Sequence, residues 1–256
     1  MTELDVRTEA GVLRLTLDRP AQYNALTPEM TDRLSEELEG AGSRDDVRVV
    51  LITGTGAAFS SGADLSGTDA HENFDVTSLD RANRLVRAIV SLDRPVVAAV
   101  NGVAAGVGCS AAVACDLVVA AESARFLLAF ARIGLMPDGG ATATVAAAVG
   151  RARAMRMALL GEALTARDAY HAGLASHVVP DEQLAEVVED VVGRLAAGPP
   201  LAYAATKKAV NAATLRHLEE AFERERTGQT VLLRTADVAE GMRAFGEKRR
   251  PVFRGA

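Results

Sequence analysis

The chain has 256 residues, 49% of them hydrophobic, with 28 basic and 34 acidic side chains and a net charge of −6. That length and apolar content suit one large core, and the acidic balance, with no basic stripe interleaved with aromatics, argues against a nucleic-acid partner. The start, MTELDVRTEA, has no basic segment leading into an apolar one, and the longest apolar stretch, residues 95–121, is broken by Asn101, glycines and Asp116; a cytoplasmic protein with no membrane contact is expected.

Alternation predicts strands over residues 4–8 and 12–17, flanking a hairpin at Glu9-Ala10-Gly11. Thr27 and Pro28 supply the cap and first position of a helix ending near Gly40. Residues 49–53, Val-Val-Leu-Ile-Thr, read as a buried strand that leads to Phe59-Ser60-Ser61-Gly62-Ala63-Asp64-Leu65-Ser66-Gly67, where small residues stand in place of bulky ones. Residues 66–77 are polar and aperiodic and read as a mobile loop, with a helix following over 79–91.

A second apolar run, 96–100, meets the turn residues Asn101-Gly102, and the small-residue stretch 104–114 reads as a tightly packed helix. Short strands are expected at 117–121 and 125–127. Residues 134–140, Gly-Leu-Met-Pro-Asp-Gly-Gly, form a turn-rich loop, with Thr142 or Thr144 helping to start a helix running toward Val149. From Arg151 onward the pattern is helices punctuated by Gly161, Gly173, Pro180 and Gly198-Pro199-Pro200, with one brief strand at Val178-Val179. The pattern supports an α/β core of short, repeatedly crossed strands, with C-terminal helices to cover a ligand or a neighbouring subunit.

Two segments share one design, in which a buried strand is expected to turn through Gly and Ala into a helix start: 49–53 leading to Ser61-Gly62-Ala63-Asp64, and 96–100 leading to Gly106-Val107-Gly108. At such junctions the first backbone N–H groups lack intrahelical partners, and two of them aimed at one spot can hold a developing oxyanion. Close packing alone would also select these small residues. Asp138 sits on a glycine-rich turn, either as an Asx-turn or capping residue or as a working carboxylate. Asp64 reads as a loop brace that accepts backbone N–H bonds, and Asp116 as structural. Arg81, Arg84, Arg87 and Arg94 form either a solvated helix face or a phosphate contact. His71 and Asn73 lie in the polar loop; His171, His177 and His217 have no spaced partners, so no metal site is expected. Cys109 and Cys115 read as small buried apolar residues.

Asn24-Ala25-Leu26, the segment 59–65, Ala99-Val100-Asn101-Gly102, Gly106-Val107-Gly108-Cys109, Cys115-Asp116, the loop 134–140 and Glu247-Lys248-Arg249-Arg250-Pro251 occur in one order. In that order they resemble the enoyl-CoA hydratase/isomerase (crotonase) family over nearly the whole chain. The resemblance implies an α/β fold, a crotonase-like spiral of repeated ββα units with a C-terminal helical trimerisation region. Residues 1–197 would form the acyl-CoA-binding core, and 198–256 the helical part for oligomerisation and CoA cover. It further implies an acyl-CoA thioester substrate, coenzyme A present only as part of that substrate with no separate cofactor, and a homotrimer or homohexamer.

Carried over by position, the thioester oxygen would lie between the N–H groups of Ala63 and Val107. Ala25, Asp64, Leu65, Ser66, Phe245 and Lys248 would contact the substrate, and Phe130 and Leu135 would help shape the acyl pocket. Where hydratases of the family carry two glutamates, this chain has Ser110 and Phe130, neither of which can hold a catalytic water as a carboxylate does. Asp138 matches the single carboxylate of the double-bond isomerases, so an isomerase is expected, with a hydratase or a non-catalytic acyl-CoA binding module as the rivals. Gly106-Val-Gly-Cys-Ser-Ala111 resembles a dinucleotide fingerprint, but Asn101 to Ala105 separate it from its strand. Ser110 in a hydrolase-type elbow lacks the final glycine and a histidine partner.

Overall fold

The computed structural model describes residues 3–65 and 75–256. Strands β1 (Leu4–Glu9) and β2 (Val12–Leu17) form the expected antiparallel hairpin. Its turn residues Ala10 and Gly11 have φ of 50° and 82°, the left-handed pair that a two-residue type I′ turn requires. Helix α1 (Pro28–Ala41) begins as anticipated, with Thr27 Oγ1 accepting the Met30 N–H at 3.1 Å and Pro28 in the first turn.

Three turns of a spiral follow, each made of two parallel-sheet strands and a helix. The first comprises β3 (Val49–Gly54), β4 (Ala58–Ser60) and α2 (Val76–Ser91); the second β5 (Val96–Val100), β6 (Val103–Ala105) and α3 (Gly106–Ala114). The third has β7 (Leu117–Ala121), β8 (Arg125–Leu127), a 3-10 turn at Ala129–Ile133 and α4 (Ala141–Val149). Beyond it lie α5 (Arg151–Leu160), β9 (Leu164–Thr165), α6 (Ala166–Ala172), β10 (His177–Val179) and α7 (Leu184–Ala197). The chain ends in α8 (Pro200–Thr214), α9 (Leu218–Leu232) and α10 (Ala236–Gly246). The larger sheet runs β1-β2-β3-β5-β7-β10 and the smaller β4-β6-β8-β9.

The continuous apolar runs of β3, β5 and β7 are explained by burial on both faces. Val50, Ile52, Ala98, Val100 and Val118 enter the main core, whereas Val49, Leu51, Val97, Ala99 and Val119 enter a second cluster sealed by Val188, Val191 and Val192 of α7. Alternate residues of one strand thus feed two cores, as the period of two dictates. Helix α9 packs on α2 and α4, and α10 on the 3-10 turn.

Several local expectations are corrected. The stretch 104–114 is not all helix, because residues 103–105 form β6 by pairing with β8, and the helix starts at Gly106. Ala63 does not open a helix; it forms an isolated parallel bridge with Leu26. Of the expected loop 66–77, residues 66–74, with Ser66, His71 and Asn73, lie outside the described residues, while Val76 and Thr77 already belong to α2, capped by the Asp75 carboxylate. Neither Thr142 nor Thr144 caps α4, whose cap position is Gly140.

Candidate active site

Ala63 owes its geometry to its neighbours. The Leu26 N–H donates to Gly62 O at 2.8 Å, and the Asp64 N–H donates to Leu26 O at 3.0 Å. In a parallel bridge of this kind the polar groups of the middle residue point the other way, so the Ala63 N–H is left without a partner among the described residues. Val107 is the second residue of α3, where an amide has no intrahelical acceptor. The two segments touch: Gly62 has φ +98°, and a Cβ there would stand 2.9 Å from Ala105 O and 3.4 Å from Gly106 Cα. Only a bare backbone fits that gap. The small residues around Gly62 and Gly106 therefore serve a close main-chain approach beside two free amides.

Asp138 is 3% exposed and sits against the same turn of α3. Ser110 Oγ donates to the Asp138 main-chain O at 2.8 Å. A Cβ on Gly139, which has φ +61°, would lie 3.2 Å from Ser110 Cβ and 3.6 Å from Val107 Cγ2. The Asp138 carboxylate receives the Gln229 amide at Oδ2, 2.9 Å away, while Oδ1 is buried with no partner. Burial pushes this carboxyl up to about 7; the Gln229 hydrogen bond pulls it down and the Glu225 charge pushes it up. Glu225, itself held above the usual carboxylate range by burial, accepts from Gly140 and Thr142.

The other sequence candidates fall into groups. Phe130 and Leu135 are buried at 7% and 5% exposure, with Phe130 Cζ 4.0 Å from where a Gly106 Cβ would be. Ala25 is buried, and its carbonyl accepts from Arg19 Nη1. Arg19 also pairs with Asp64 at 2.8 Å, and Leu65 is half-buried. Phe245 is 63% exposed near the end of α10, and Lys248 is exposed beyond it. The α2 arginines are committed within the chain, Arg81 to Asp32, Arg84 to Glu39 and Arg87 to Glu219, and Arg94 bonds Val47 O. Asp116 pairs with Lys207 and accepts the Val96 N–H, a structural clasp. Cys109 and Cys115 are buried free thiols, and burial pushes Cys109 up to about 12. No group of three His, Cys, Asp or Glu suited to a metal occurs among the described residues.

Gln229 and Glu225 were not anticipated. Leu218, Phe222, Glu225 and Gln229 follow one another at intervals of four, three and four on α9 and are all buried. Two polar residues on the apolar stripe of an otherwise charged helix were the available signal.

A buried carboxyl pushed up toward neutrality, on a loop packed against the helix turn that bears an unpaired amide, suits proton transfer at carbon with the developing charge held on an oxygen. The stacked ββα turns and trailing helices place the chain in the crotonase fold class. A sequence profile of the enoyl-CoA hydratase/isomerase family matches residues 7–256, and the chain belongs to that family. It is 40% identical over 252 residues to the 1,2-epoxyphenylacetyl-CoA isomerase of Escherichia coli K12, covering 96% of each chain. It is 39% identical over 255 residues to the 2,3-dehydroadipyl-CoA hydratase of the same strain, covering 100% of each. A solved enoyl-CoA hydratase from Mycobacterium avium subsp. paratuberculosis K-10 superposes with a TM-score of 0.92 at 48% identity, covering 99% of both chains. No described helix is long and apolar enough to cross a membrane.

Proposed function

We propose that the protein is an enoyl-CoA isomerase that shifts a double bond through a thioester enolate. The observation that carries this reading is Asp138: a buried carboxylate with one unpartnered oxygen, set against the turn of α3 that bears the free Val107 amide. Asp138 Oδ1 removes a proton from one carbon of a 3-enoyl thioester. The electron pair left behind delocalises onto the thioester oxygen, where the Ala63 and Val107 N–H groups stabilise it. The same carboxyl then returns the proton two carbons away, and no water is consumed.

Ala25, Asp64 and Leu65 lie along the coenzyme A portion in this reading, with Phe130 and Leu135 against the acyl group and Phe245 and Lys248 toward the CoA end. Coenzyme A enters only within the substrate. Self-association is part of the proposal, supported by α8, which leaves Leu201 and Val210 exposed in the single chain.

A hydratase is the second reading, favoured by the hydratase names of two of the similar proteins. It needs a second acid or base. Ser110 Oγ already donates to Asp138 O, Phe130 has no lone pair, and both oxygens of Glu225 already accept main-chain N–H groups. Incubation with 3-enoyl-CoA and, separately, with 2-enoyl-CoA, followed by chromatography and mass analysis, decides between them. An isomer of unchanged mass supports the proposal; gain of one water supports the hydratase; tight binding with neither supports a binding module. Asp138→Asn abolishes isomerisation and leaves CoA affinity nearly unchanged; retained turnover removes Asp138 from its role.

A further inference from the structure

We infer that Gln229 is the positioning residue of this centre and dictates which oxygen of Asp138 carries the proton. The inference rests on the isomerase reading for its kinetic consequence, though not for its first test.

The orientation of the Gln229 amide is fixed by a group that can only donate. The Met136 main-chain N–H points at Gln229 Oε1, 3.0 Å away, so the side-chain nitrogen faces the other way and donates to Asp138 Oδ2 at 2.9 Å. Gln229 is 0% exposed, which denies it water as an alternative partner. A carboxyl oxygen that already accepts an N–H bond is the poorer place for a proton, since protonation weakens it as an acceptor. The proton therefore resides on Oδ1, which is buried and has no partner. A 1,3-shift on one face needs this arrangement: one oxygen, held still, collects hydrogen at one carbon and delivers it at another.

The charged groups around the loop leave this pair in control. Helices α3 and α4 carry no ionisable side chain except the buried Cys109 thiol. On the 3-10 turn Arg132 bonds Gly161 O. On α9, Glu219 pairs with Arg87, Glu220 with His217 and Arg224, and Arg226 with Asp80. On α10, Asp237 accepts main-chain N–H groups of the C-terminal segment and Glu240 pairs with Arg249. Among the described residues, Glu225 is the charge that acts on Asp138, and it opposes the effect of Gln229.

Two variants test the inference. Gln229→Leu removes the donor. Gln229→Glu keeps the shape and an acceptor for Met136 but sets a second carboxyl against Oδ2. In the unliganded protein, carbon-13 NMR of labelled aspartate carboxyls, with the Asp138 signal identified by its loss in Asp138→Asn, should show the Asp138 midpoint displaced upward in both variants. With 3-enoyl-CoA, kcat should fall roughly ten- to a hundredfold with KM unchanged, and the acidic limb of the pH profile should move upward. An unmoved midpoint and an unmoved limb in the Glu variant, with activity lost only in proportion to folded protein, overturn the inference and leave Gln229 a packing residue. If the wild type does not isomerise, the functional reading fails, and the NMR titration still decides the role of Gln229.

Discussion

Glu225 Oε2 accepts the Gly140 N–H at 2.7 Å, so a carboxylate from α9 closes the first turn of α4. Its other oxygen takes the Thr142 N–H at 2.9 Å, which makes one side chain the cap of a helix that has none of its own. Glu225→Gln replaces one of the two acceptors with a donor facing a main-chain N–H. The expected cost is about 1–3 kcal/mol, read as a lower denaturation midpoint. The same change removes the negative charge that pushes the Asp138 carboxyl up. The acidic limb of the activity profile should move to lower pH, opposite in sign to the Gln229 variants.

Asp138 must be ionised to take a proton, and its carboxyl is pushed up to about 7. Turnover of 3-enoyl-CoA should therefore rise with pH through neutrality and fall about tenfold for each unit on the acid side. A kcat/KM profile in the free enzyme checks this. A limb in the ordinary carboxylate range near 4 would mean that Asp138 is solvated or not the base.

The parts of the fold legible in the sequence are those whose signal is local. The runs 49–53, 96–100 and 117–121 announce buried parallel strands because both faces are apolar, and Thr27-Pro28 marks a helix start by its own chemistry. Strands β4 and β6 escaped because Ala58-Phe-Ser lies in a stretch of small residues and Val103-Ala-Ala carries no strand signature of its own. Pairing with neighbours far along the chain makes them strands. At the site, Gly62, Val107 and Asp138 were visible as residue types, whereas Glu225 and Gln229 sit among charged neighbours on α9 and their residue types do not announce burial. Only packing of α9 on α4 shows them buried.

A carboxyl with a raised folded-state pKa weakens the fold as pH rises. The unfolded chain releases the Asp138 proton near 4 while the folded chain keeps it until about 7, so stability falls across that window, by about 4 kcal/mol in all. Asp138→Asn cannot ionise and escapes this loss, less about 1–3 kcal/mol for an amide hydrogen set where Oδ1 has no partner. Above neutrality the inactive variant should unfold at a higher temperature than the wild type, and the gap should narrow or reverse toward about pH 4. Calorimetry at several pH values checks it; parallel pH dependences in the two proteins would show that Asp138 titrates normally.

The approach of Ala63 to Val107 depends on Gly62. A methyl group there meets Ala105 O at 2.9 Å and must adopt φ +98°, which side chains rarely tolerate. Gly62→Ala should push the 61–63 segment away from the start of α3 and part the two amides. Losing one oxyanion donor costs roughly a hundred- to a thousandfold in kcat. Affinity for coenzyme A itself should change far less, since the displacement is confined to the carbonyl end of the thioester. Steady-state kinetics alongside calorimetric binding of coenzyme A separate the two effects. A Gly62→Ala protein that folds and turns over normally would mean that the main chains tolerate a wider gap, and that the enolate is not held between these two N–H groups.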